Sequence, residues 1–250
     1  MKREDPLRAA RAFAPGNISG VFEIIYHEDP RQMHSLGMGF TVSDGATVTV
    51  EPMLSAPDCA IRFNGQPIDF PTVAAVVERL APAPVAVDIH TALPLSCGFG
   101  LSGASALATA YALDRLYGLG LPRQDLAMVA HVAEVRNLTG LGDVCAQYHG
   151  GCLVKLRPGY PLAAERLGVR PMPIHYRYFS PISTRAVLSD AARRERINAA
   201  GARALEDLAR FTRANAVDFE DIIIVCRRFA EDSGLLEDES VRQAIARVEA

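Results

Sequence analysis

The sequence predicts an α+β fold, in which a strand-rich first part precedes a mostly helical second part. Short segments that alternate apolar and polar side chains, separated by turns rich in glycine and proline, fill about the first ninety residues. Longer segments with apolar residues at helical spacing dominate after residue 101. Strands and helices that are segregated along a chain, instead of alternating, are typical of α+β proteins.

Composition is that of a globular protein, with enough chain for one large domain or two small ones. The 250 residues are 49% hydrophobic and 22% charged, with a formal net charge of −3. This acidic balance gives no broad basic surface, so we expect no nucleic-acid partner. The apolar runs fall short of the roughly 20 residues that span a bilayer, and the first residues lack the apolar core of a signal peptide. Five cysteines without metal-binding spacing suit a reduced compartment. We therefore expect a cytoplasmic protein without a membrane partner.

The first part of the chain contains four predicted strands and one predicted helix. The strands cover residues 22–26, 41–50 with a turn or bulge around Asp44 and Gly45, 59–63 and 85–91. Residues 14–20 and 34–39 contain glycines and predict a turn and a loop. Asn64 and Gly65 predict a two-residue hairpin. Residues 71–80 predict a helix that begins near its proline.

The second part is mostly helical. Helices are predicted over residues 102–117, 123–137, 144–149 and most of the chain from 190, with breaks near Gly201, Ala216 and Gly234. Strands are predicted at residues 152–157 and 172–179. A shift in composition near residues 155–160 predicts two domains, 1–157 and 158–250.

A glycine-rich stretch joins the strand at residues 85–91 to the helix at 102–117. Gly98, Gly100 and Gly103 allow a tight turn and a close approach of the backbone to a ligand. The free N–H groups and the dipole at the start of a helix favour a bound phosphate. A loop that only packs a helix of small residues against a sheet has similar sequence features, so the stretch alone does not decide between the two interpretations.

Three side chains near this stretch could take part in phosphoryl transfer, which needs a phosphate cradle, a divalent cation and a group that acts on the attacking hydroxyl. Ser102 and Glu134 are oxygen ligands of the kind that Mg²⁺ takes, although most helical glutamates lie on the surface. Asp143 directly follows a glycine turn, which can direct its carboxylate into a cleft. The alternative for Asp143 is an N-cap of the short helix that follows.

Three motifs resemble those of the GHMP kinases, the superfamily of galactokinase, homoserine, mevalonate and phosphomevalonate kinases. Residues 94–104 resemble the second motif, P-x-x-x-G-[LF]-G-[SL]-S-[SAG]-A, and residues 14–22 (APGNISGVF) resemble the first. Residues 139–143 (TGLGD), followed by Gly150 and Gly151, resemble the segment with the catalytic aspartate. Together with residues 183–188 (STRAVL), these segments are most similar to the archaeal pantoate kinases within the superfamily.

The resemblance implies a two-domain kinase that binds ATP and Mg²⁺ between its domains. The N-terminal domain would resemble domain 2 of ribosomal protein S5, and the C-terminal domain would be ferredoxin-like. The triphosphate would lie on Pro94, Gly98, Phe99, Gly100, Leu101, Ser102, Gly103 and Ala104. Ser102 and Glu134 would hold Mg²⁺, and Asp143 would contact and deprotonate the acceptor hydroxyl.

The acceptor implied by the resemblance is pantoate, which would become 4-phosphopantoate in coenzyme A biosynthesis. Because pantoate carries a carboxylate, its pocket should offer cations or hydrogen-bond donors. Candidates are Ser35, His131 and Lys155, with Asn17 and Ser19 of the first motif on the substrate side and Arg185 as a weaker candidate. If these residues have structural roles only, Ser35 is a turn serine, His131 is a core or surface histidine and Lys155 is a lysine at a strand edge.

Two other functions remain open at this stage. One is a GHMP kinase for another hydroxy acid, such as homoserine or shikimate, and the other is a non-catalytic nucleotide-binding relative. The residues after Gly201 contain no counterpart of the superfamily's third glycine-rich motif, so we expect an incomplete C-terminal domain. Apolar faces of the C-terminal helices could also form a homodimer.

Overall fold

The protein has a mixed α+β architecture, as the sequence predicts. A computed structural model describes residues 9–53, 58–181, 184–213 and 218–249. Within these ranges seven strands form one sheet, and eight helices accompany it. The division into domains 1–157 and 158–250 stays a prediction.

The strands of the described chain lie mainly in its first two thirds. They are β1 (Ala10–Ile25), β2 (His34–Pro52), β3 (Ala60–Phe63), β4 (Gln66–Pro67), β5 (Val85–His90), β6 (Cys152–Lys155) and β7 (Glu165–Leu167). The helices are α1 (Pro71–Leu80), α2 (Leu101–Tyr117), α3 (Arg123–Asn137), α4 (Asp143–His149), α5 (Thr184–Ser189), α6 (Ala191–Arg213), α7 (Phe219–Asp232) and α8 (Glu239–Glu249). The predicted helices α1 to α4, the hairpin at Asn64 and the strands β3, β5 and β6 are confirmed within a few residues.

The long strand β2 organises the sheet. One edge of β2 pairs with β1 in an antiparallel ladder from one end to the other. The opposite edge pairs with β6 near its start and with β5 near its end. The resulting order is β4-β3-β5-β2-β6-β7, with β1 beside β2 and only β3 and β5 parallel. This arrangement brings the start of β2 and the middle of β1 next to the segment between α3 and β6.

Two predicted interruptions are wrong, because residues 14–20 belong to β1 and residues 34–39 belong to β2. Their glycines serve close strand pairing instead of a turn. A Cβ at Gly37 would overlap the carbonyl oxygen of Val21, and one at Gly39 would lie 2.8 Å from that of Ile18. The register of the β1–β2 ladder shifts after Pro15, which pairs with Gly45, and again after Ser19. The first shift confirms the turn or bulge predicted around Asp44 and Gly45.

Two predictions in the second half are also wrong. Helix α6 runs through Gly201 without a break, because this glycine lets α6 approach the carbonyl oxygen of Phe22 on β1. Residues 172–179 form no strand, although their apolar side chains alternate. Met172, Ile174 and Tyr176 of this segment are exposed, and the ladders of the described sheet do not include it. The predicted break near residue 216 lies outside the described residues.

Two buried apolar clusters hold these elements together. The first lies between helices α1 to α4 and the strands β1, β2 and β5. The second lies between helices α6 and α7 and the neighbouring parts of β1, β2 and β6. From residue 168 onward, the described residues contribute helices and no strand to the predicted ferredoxin-like domain. None of the described helices combines the length and the apolar character needed to cross a membrane.

Candidate active site

The glycine-rich loop between β5 and α2 presents its backbone and buries its large side chains. Gly98 and Gly100 adopt φ angles of 82° and 58°, in the left-handed region that glycine tolerates best. Phe99 and Leu101 point into an apolar cluster with Leu93. Helix α2 begins at Leu101, and no side chain of the described residues caps its first N–H groups. The loop therefore has the features of a phosphate cradle built from backbone donors.

Two consecutive carbonyl groups of this loop are held by neighbouring elements. The backbone N–H of Asn17 on β1 donates to the carbonyl oxygen of Phe99 at 2.9 Å. The Nε2 atom of Gln147 on α4 donates to the carbonyl oxygen of Gly100 at 2.7 Å. The loop is thus tied to both the sheet and the helix that carries Asp143.

Glu134 lies at the base of the loop and is almost fully buried, with 1% of its surface exposed. Its Oε1 atom accepts hydrogen bonds from the hydroxyl of Ser102 and, at 2.6 Å, from that of Thr139. Its Oε2 atom is buried and has no hydrogen-bond partner among the described residues. Burial, assisted by the nearby charge of Asp143, raises the pKa of Glu134 to about 7, although the two hydroxyl bonds oppose the change. The interpretation of Glu134 as a surface residue is therefore wrong.

Asp143 is the first residue of α4, and two side chains of β1 hold it. Its Oδ1 atom accepts hydrogen bonds from Asn17 Nδ2 at 2.7 Å and from the Ser19 hydroxyl at 3.3 Å. Burial raises the pKa of Asp143, and the two hydrogen bonds counteract this effect. Gly142 occupies the N-cap position, so the alternative of Asp143 as the N-cap is wrong. The carboxylate is oriented instead by residues that are distant in sequence.

Small residues bring the two carboxylates together. A Cβ at Gly140 would overlap Oε2 of Glu134 and would lie 3.0 Å from Oδ2 of Asp143. A Cβ at Gly100 would lie 3.0 Å from the carboxyl carbon of Asp143. The structure therefore groups Ser102, Glu134 and Asp143 beside the glycine-rich loop.

The donor set at the loop fits Mg²⁺ better than a softer metal. No group of three or more His, Cys, Asp or Glu side chains in the described ranges could hold a metal ion by itself. Mg²⁺ does not need such a group, since it keeps several waters and is bound through one or two carboxylates together with substrate phosphates. Ser102 Oγ and the unpartnered Oε2 atom of Glu134 are hard oxygen donors beside the phosphate cradle. The residues present thus fit a hydrated Mg²⁺ ion that also binds phosphate.

A cavity of about 220 Å³ opens beside Asp143. Its polar lining includes the side chains of Ser19, Ser35 and Thr184. Its apolar lining consists of Phe22, Leu141, Val187, Leu188 and Leu235. A mostly apolar cavity with a few convergent polar groups is typical of small-molecule sites.

Lys155 lines a second, smaller cavity of about 50 Å³, which shares Ser19 and Ser35 with the first. Its Nζ atom donates to the carbonyl oxygens of Tyr160 at 2.7 Å and Pro161 at 3.2 Å. Burial lowers the pKa of Lys155 to about 8. Lys155 is thus a cation close to the candidate acceptor cavity.

His131 and Arg185 lie outside the residues that line these two cavities. His131 is buried, and its Nε2 atom is 3.0 Å from the carbonyl oxygen of Met33. Burial lowers the pKa of His131 to about 4, so its ring is neutral at pH 7. Arg185 donates to the carbonyl oxygen of Asn137 at 3.0 Å. A role of these two residues in substrate binding stays a prediction.

Three further residues belong to the site although none of them was a predicted site residue. Thr139 bonds Glu134 and is itself 2.9 Å from the hydroxyl of Thr72. Gln147 holds the loop, and Thr184 lines the acceptor cavity. Gln147 follows Asp143 by four residues and so shares its helical face, which was the one available signal. Thr139 and Thr184 lie in the segments 139–143 and 183–188 that resemble the family, and this resemblance was the available signal for them.

Comparison with known proteins places this site in a family. The model of the GHMP kinases N terminal domain matches residues 70–151, which include the loop, Glu134 and Asp143. The pantoate kinase of Methanospirillum hungatei is 32% identical over 240 residues, which cover 93% of this chain and 78% of that protein. The chain belongs to the GHMP kinase family. The pantoate kinase of Thermococcus kodakarensis is 34% identical over 245 residues, 92% of this chain and 77% of that protein.

Solved structures confirm the GHMP kinase fold. A phosphotransferase related to the CoA biosynthesis pathway superimposes with a TM-score of 0.77 at 30% identity, over 96% of this chain and 82% of that one. The mevalonate kinase of methicillin-resistant Staphylococcus aureus superimposes with a TM-score of 0.58 at 19% identity, which shows a shared fold alone. The prediction of an ATP-dependent small-molecule kinase is confirmed by membership of this family.

Proposed function

We propose that this GHMP kinase transfers the terminal phosphoryl group of ATP to the primary hydroxyl of pantoate, forming 4-phosphopantoate for coenzyme A synthesis. The observation that carries the proposal is Asp143, held by Asn17 and Ser19 at the mouth of a partly apolar cavity beside the phosphate cradle. The similarity to two pantoate kinases over more than nine tenths of the chain supports the choice of acceptor.

In this mechanism Asp143 acts on the acceptor hydroxyl. Its Oδ1 atom is engaged by Asn17 and Ser19, so the side chain has one preferred orientation. A carboxylate with a raised pKa accepts a proton more readily than an exposed aspartate does. Asp143 would therefore orient the hydroxyl and take its proton as the new P–O bond forms and the bond to the departing ADP breaks.

The loop from Gly98 to Ser102 would hold the triphosphate through the free N–H groups at the start of α2. Ser102 and Glu134 would hold Mg²⁺, whose positive charge stabilises the phosphate oxygens during transfer. Thr139 fixes the Oε1 atom of Glu134. The other carboxylate oxygen is thereby left available on the side facing Asp143 and the loop.

The cavity also suits the chemistry of pantoate. Pantoate carries two methyl groups on one carbon, and Phe22, Val187 and Leu188 offer an apolar surface for them. Its carboxylate needs donors, which Ser35 and the ammonium of Lys155 can supply from the neighbouring cavity. Shikimate lacks the two methyl groups, and homoserine carries an ammonium group, for which Lys155 is a poor neighbour.

An acceptor panel tests the proposal. The purified protein is assayed with ATP, Mg²⁺ and either pantoate, homoserine or shikimate, with ADP release and product mass as readouts. We expect turnover of pantoate, and Asp143→Asn should lower kcat about a thousandfold while leaving ATP binding intact. Turnover of homoserine but not of pantoate would reject this acceptor. Binding of ATP without turnover of any acceptor, unchanged in Asp143→Asn, would indicate a non-catalytic relative.

The proposal extends to the setting of the reaction. The protein would act in the cytoplasm on a small-molecule substrate, without a nucleic-acid or membrane partner, and as a homodimer. The acidic net charge supports the absence of a nucleic-acid partner. Light scattering coupled to size-exclusion chromatography tests the dimer, which a monomeric mass at micromolar concentration would reject.

A further inference from the structure

Gln147 is a buried polar residue that the proposed mechanism does not use. It lies one turn after Asp143 on α4, with 4% of its surface exposed. Its Nε2 atom donates to the carbonyl oxygen of Gly100 at 2.7 Å. A Cβ at Gly100 would lie about equally close to Gln147 and Asp143, at 3.1 Å from Nε2 and 3.0 Å from the carboxyl carbon. A single short helix thus contacts the loop through both residues.

The hydrogen bond from Gln147 to the Gly100 carbonyl also fixes the direction of the next N–H group in the chain. A peptide unit is planar and trans, so the direction of a carbonyl group fixes the opposite direction of the next N–H group. The carbonyl of Gly100 therefore sets the direction of the Leu101 N–H, the first donor of α2. The Ala104 N–H also binds this carbonyl at 3.0 Å, as the first bond of the helix. Gln147 supplies a second bond at the terminus, where a helix frays most easily.

Packing alone does not account for an amide at this position. The Oε1 atom of Gln147 is buried and accepts no hydrogen bond within the described part of the chain. A Cβ at Gly103 would lie 2.8 Å from this atom and 3.3 Å from Oε2 of Glu134, which is also unpartnered. A buried acceptor without a partner is destabilising, and an apolar side chain of similar size would avoid that cost. The amide is therefore explained by its bond to the loop and not by stability.

We propose that Gln147 is a positioning residue for nucleotide binding. It fixes the Gly100 peptide so that the Leu101 N–H points toward the bound phosphates. It also holds the loop at a fixed position relative to Asp143. This inference rests on the proposed function in one measurement only, the KM for pantoate as the acceptor. The affinity for nucleotide in the absence of acceptor tests it separately.

The experiment uses Gln147→Leu and Gln147→Glu in the full chain. The Kd of a non-hydrolysable ATP analogue, AMP-PNP, is measured calorimetrically without acceptor, with and without Mg²⁺. We expect Gln147→Leu to raise this Kd about tenfold and to raise the KM for ATP equally, since one hydrogen bond is lost. The KM for the acceptor should change less than about twofold, because the acceptor cavity does not include Gln147.

Gln147→Glu provides a conservative variant whose donor depends on pH. Its side chain can donate to the Gly100 carbonyl only when protonated, and the facing carboxylates of Glu134 and Asp143 favour the protonated form. The ratio of its Kd to that of the wild-type protein should therefore fall between pH 8 and pH 5.5.

Thr109→Val is the matched control, because it also removes one buried side-chain hydrogen bond to a carbonyl oxygen of α2. Thr109 is buried in α2, away from the glycine-rich loop, and donates to the carbonyl oxygen of Ser105 at 2.7 Å. It should lower the melting temperature without changing the Kd. The inference is overturned if Gln147→Leu loses stability but keeps its nucleotide affinity, or if the KM values for ATP and acceptor rise together. A wild-type protein that binds AMP-PNP but does not phosphorylate pantoate rejects only the proposed function. A wild-type protein that does not bind AMP-PNP rejects both.

Discussion

The base of the glycine-rich loop and the α6–α7 helix pair use polar groups in opposite ways. At the base of the loop, three buried oxygen atoms find no hydrogen-bond partner in the ranges that the structure describes: Glu134 Oε2, Gln147 Oε1 and Asn17 Oδ1. On the helix pair, charged groups lie at the surface and pair with one another, as Arg203 does with Asp232 at 3.0 Å. The buried part of the helix pair is apolar, with residues such as Ile222 and Phe229.

This difference indicates which region is built to receive a ligand. A buried acceptor without a partner costs about 1–3 kcal/mol, whereas an exposed ion pair contributes about 0–1 kcal/mol. The base of the loop is therefore unfavourable until a cation, its waters or a phosphate supplies the missing partners. The helix pair gains its stability from apolar burial and should respond little to ligands.

Of the variants that test this comparison, Glu134→Gln should have the largest effect. It removes the carboxylate that would hold Mg²⁺, so we expect activity to fall about a hundredfold. It also removes a buried carboxylate, so the ligand-free variant should be more stable than the wild-type protein at pH 8, by about 1–2 kcal/mol. Chemical denaturation without nucleotide or metal measures this difference.

The pH dependence of that gain follows from the raised pKa of Glu134. The native state holds its proton up to about pH 7, whereas the unfolded chain releases it near pH 4.5. Binding of this proton by the native state stabilises the wild-type protein at low pH. The free energy of unfolding therefore falls as pH rises from 4.5 to 7, and the fall is complete above pH 7. The advantage of Glu134→Gln should be smaller at pH 5 than at pH 8. A variant that is less stable than the wild-type protein at pH 8 contradicts the comparison.

The main features of the site could be predicted from the sequence because they depend on local pattern. Ser102 lies in the first turn of a helix after a glycine-rich loop, and Asp143 follows a glycine turn, so both stand out along the chain. The resemblance placed Asn17 and Ser19 on the substrate side, but their hydrogen bonds to Asp143 could not be predicted, since Asn17 and Asp143 are separated by 126 positions. The β1–β2 ladder that brings them together depends on pairing between distant segments.

Three of the failed predictions share one physical cause. Gly37, Gly39 and Gly201 were taken as interruptions, but each permits a backbone to approach another element closely. A glycine that breaks an element and a glycine that allows such an approach look identical in one sequence. Residues 172–179 show the reverse case, in which alternation predicts a strand but no described partner strand pairs with it.

The second-largest effect, after that of Glu134→Gln, is expected from His131, a buried titratable group one helical turn before Glu134. Its native pKa of about 4 lies below the ordinary value of 6.5. Below pH 6.5 the unfolded chain binds a proton that the native ring does not, so the free energy of unfolding falls as pH decreases toward 4. We expect His131→Gln to remove about 2 kcal/mol of this loss between pH 7 and pH 5. Urea unfolding at several pH values, with Thr109→Val as a control without a titratable change, measures the difference. An unchanged slope in His131→Gln contradicts it.

A smaller effect should come from Asn17→Leu, which removes the 2.7 Å bond to Asp143 Oδ1. We expect kcat to fall about tenfold, since a hydrogen bond to a charged group is lost. Because that bond lowers the pKa of Asp143, its loss should also shift the acidic limb of the activity profile to higher pH. Ser19→Ala, which removes the longer bond of 3.3 Å, should change both quantities less. Equal effects of the two variants would show that Asn17 does not orient Asp143.

The smallest effect is expected on the helix pair. Arg203 and Asp232 are 62% and 41% exposed, so water screens their attraction. A double-mutant cycle with Arg203→Ala and Asp232→Ala should give a coupling of less than about 0.5 kcal/mol in the free energy of unfolding, with kcat unchanged. In contrast, Ile222→Ala should cost about 2–5 kcal/mol, because Ile222 is fully buried between the helices and β1. A coupling above about 1.5 kcal/mol would mean that surface charges hold this region together, as only buried or networked pairs do. A small coupling and a large loss of stability in Ile222→Ala would show that apolar burial stabilises the helix pair. The base of the loop would then differ from it, because its buried polar groups reduce stability in favour of ligand binding.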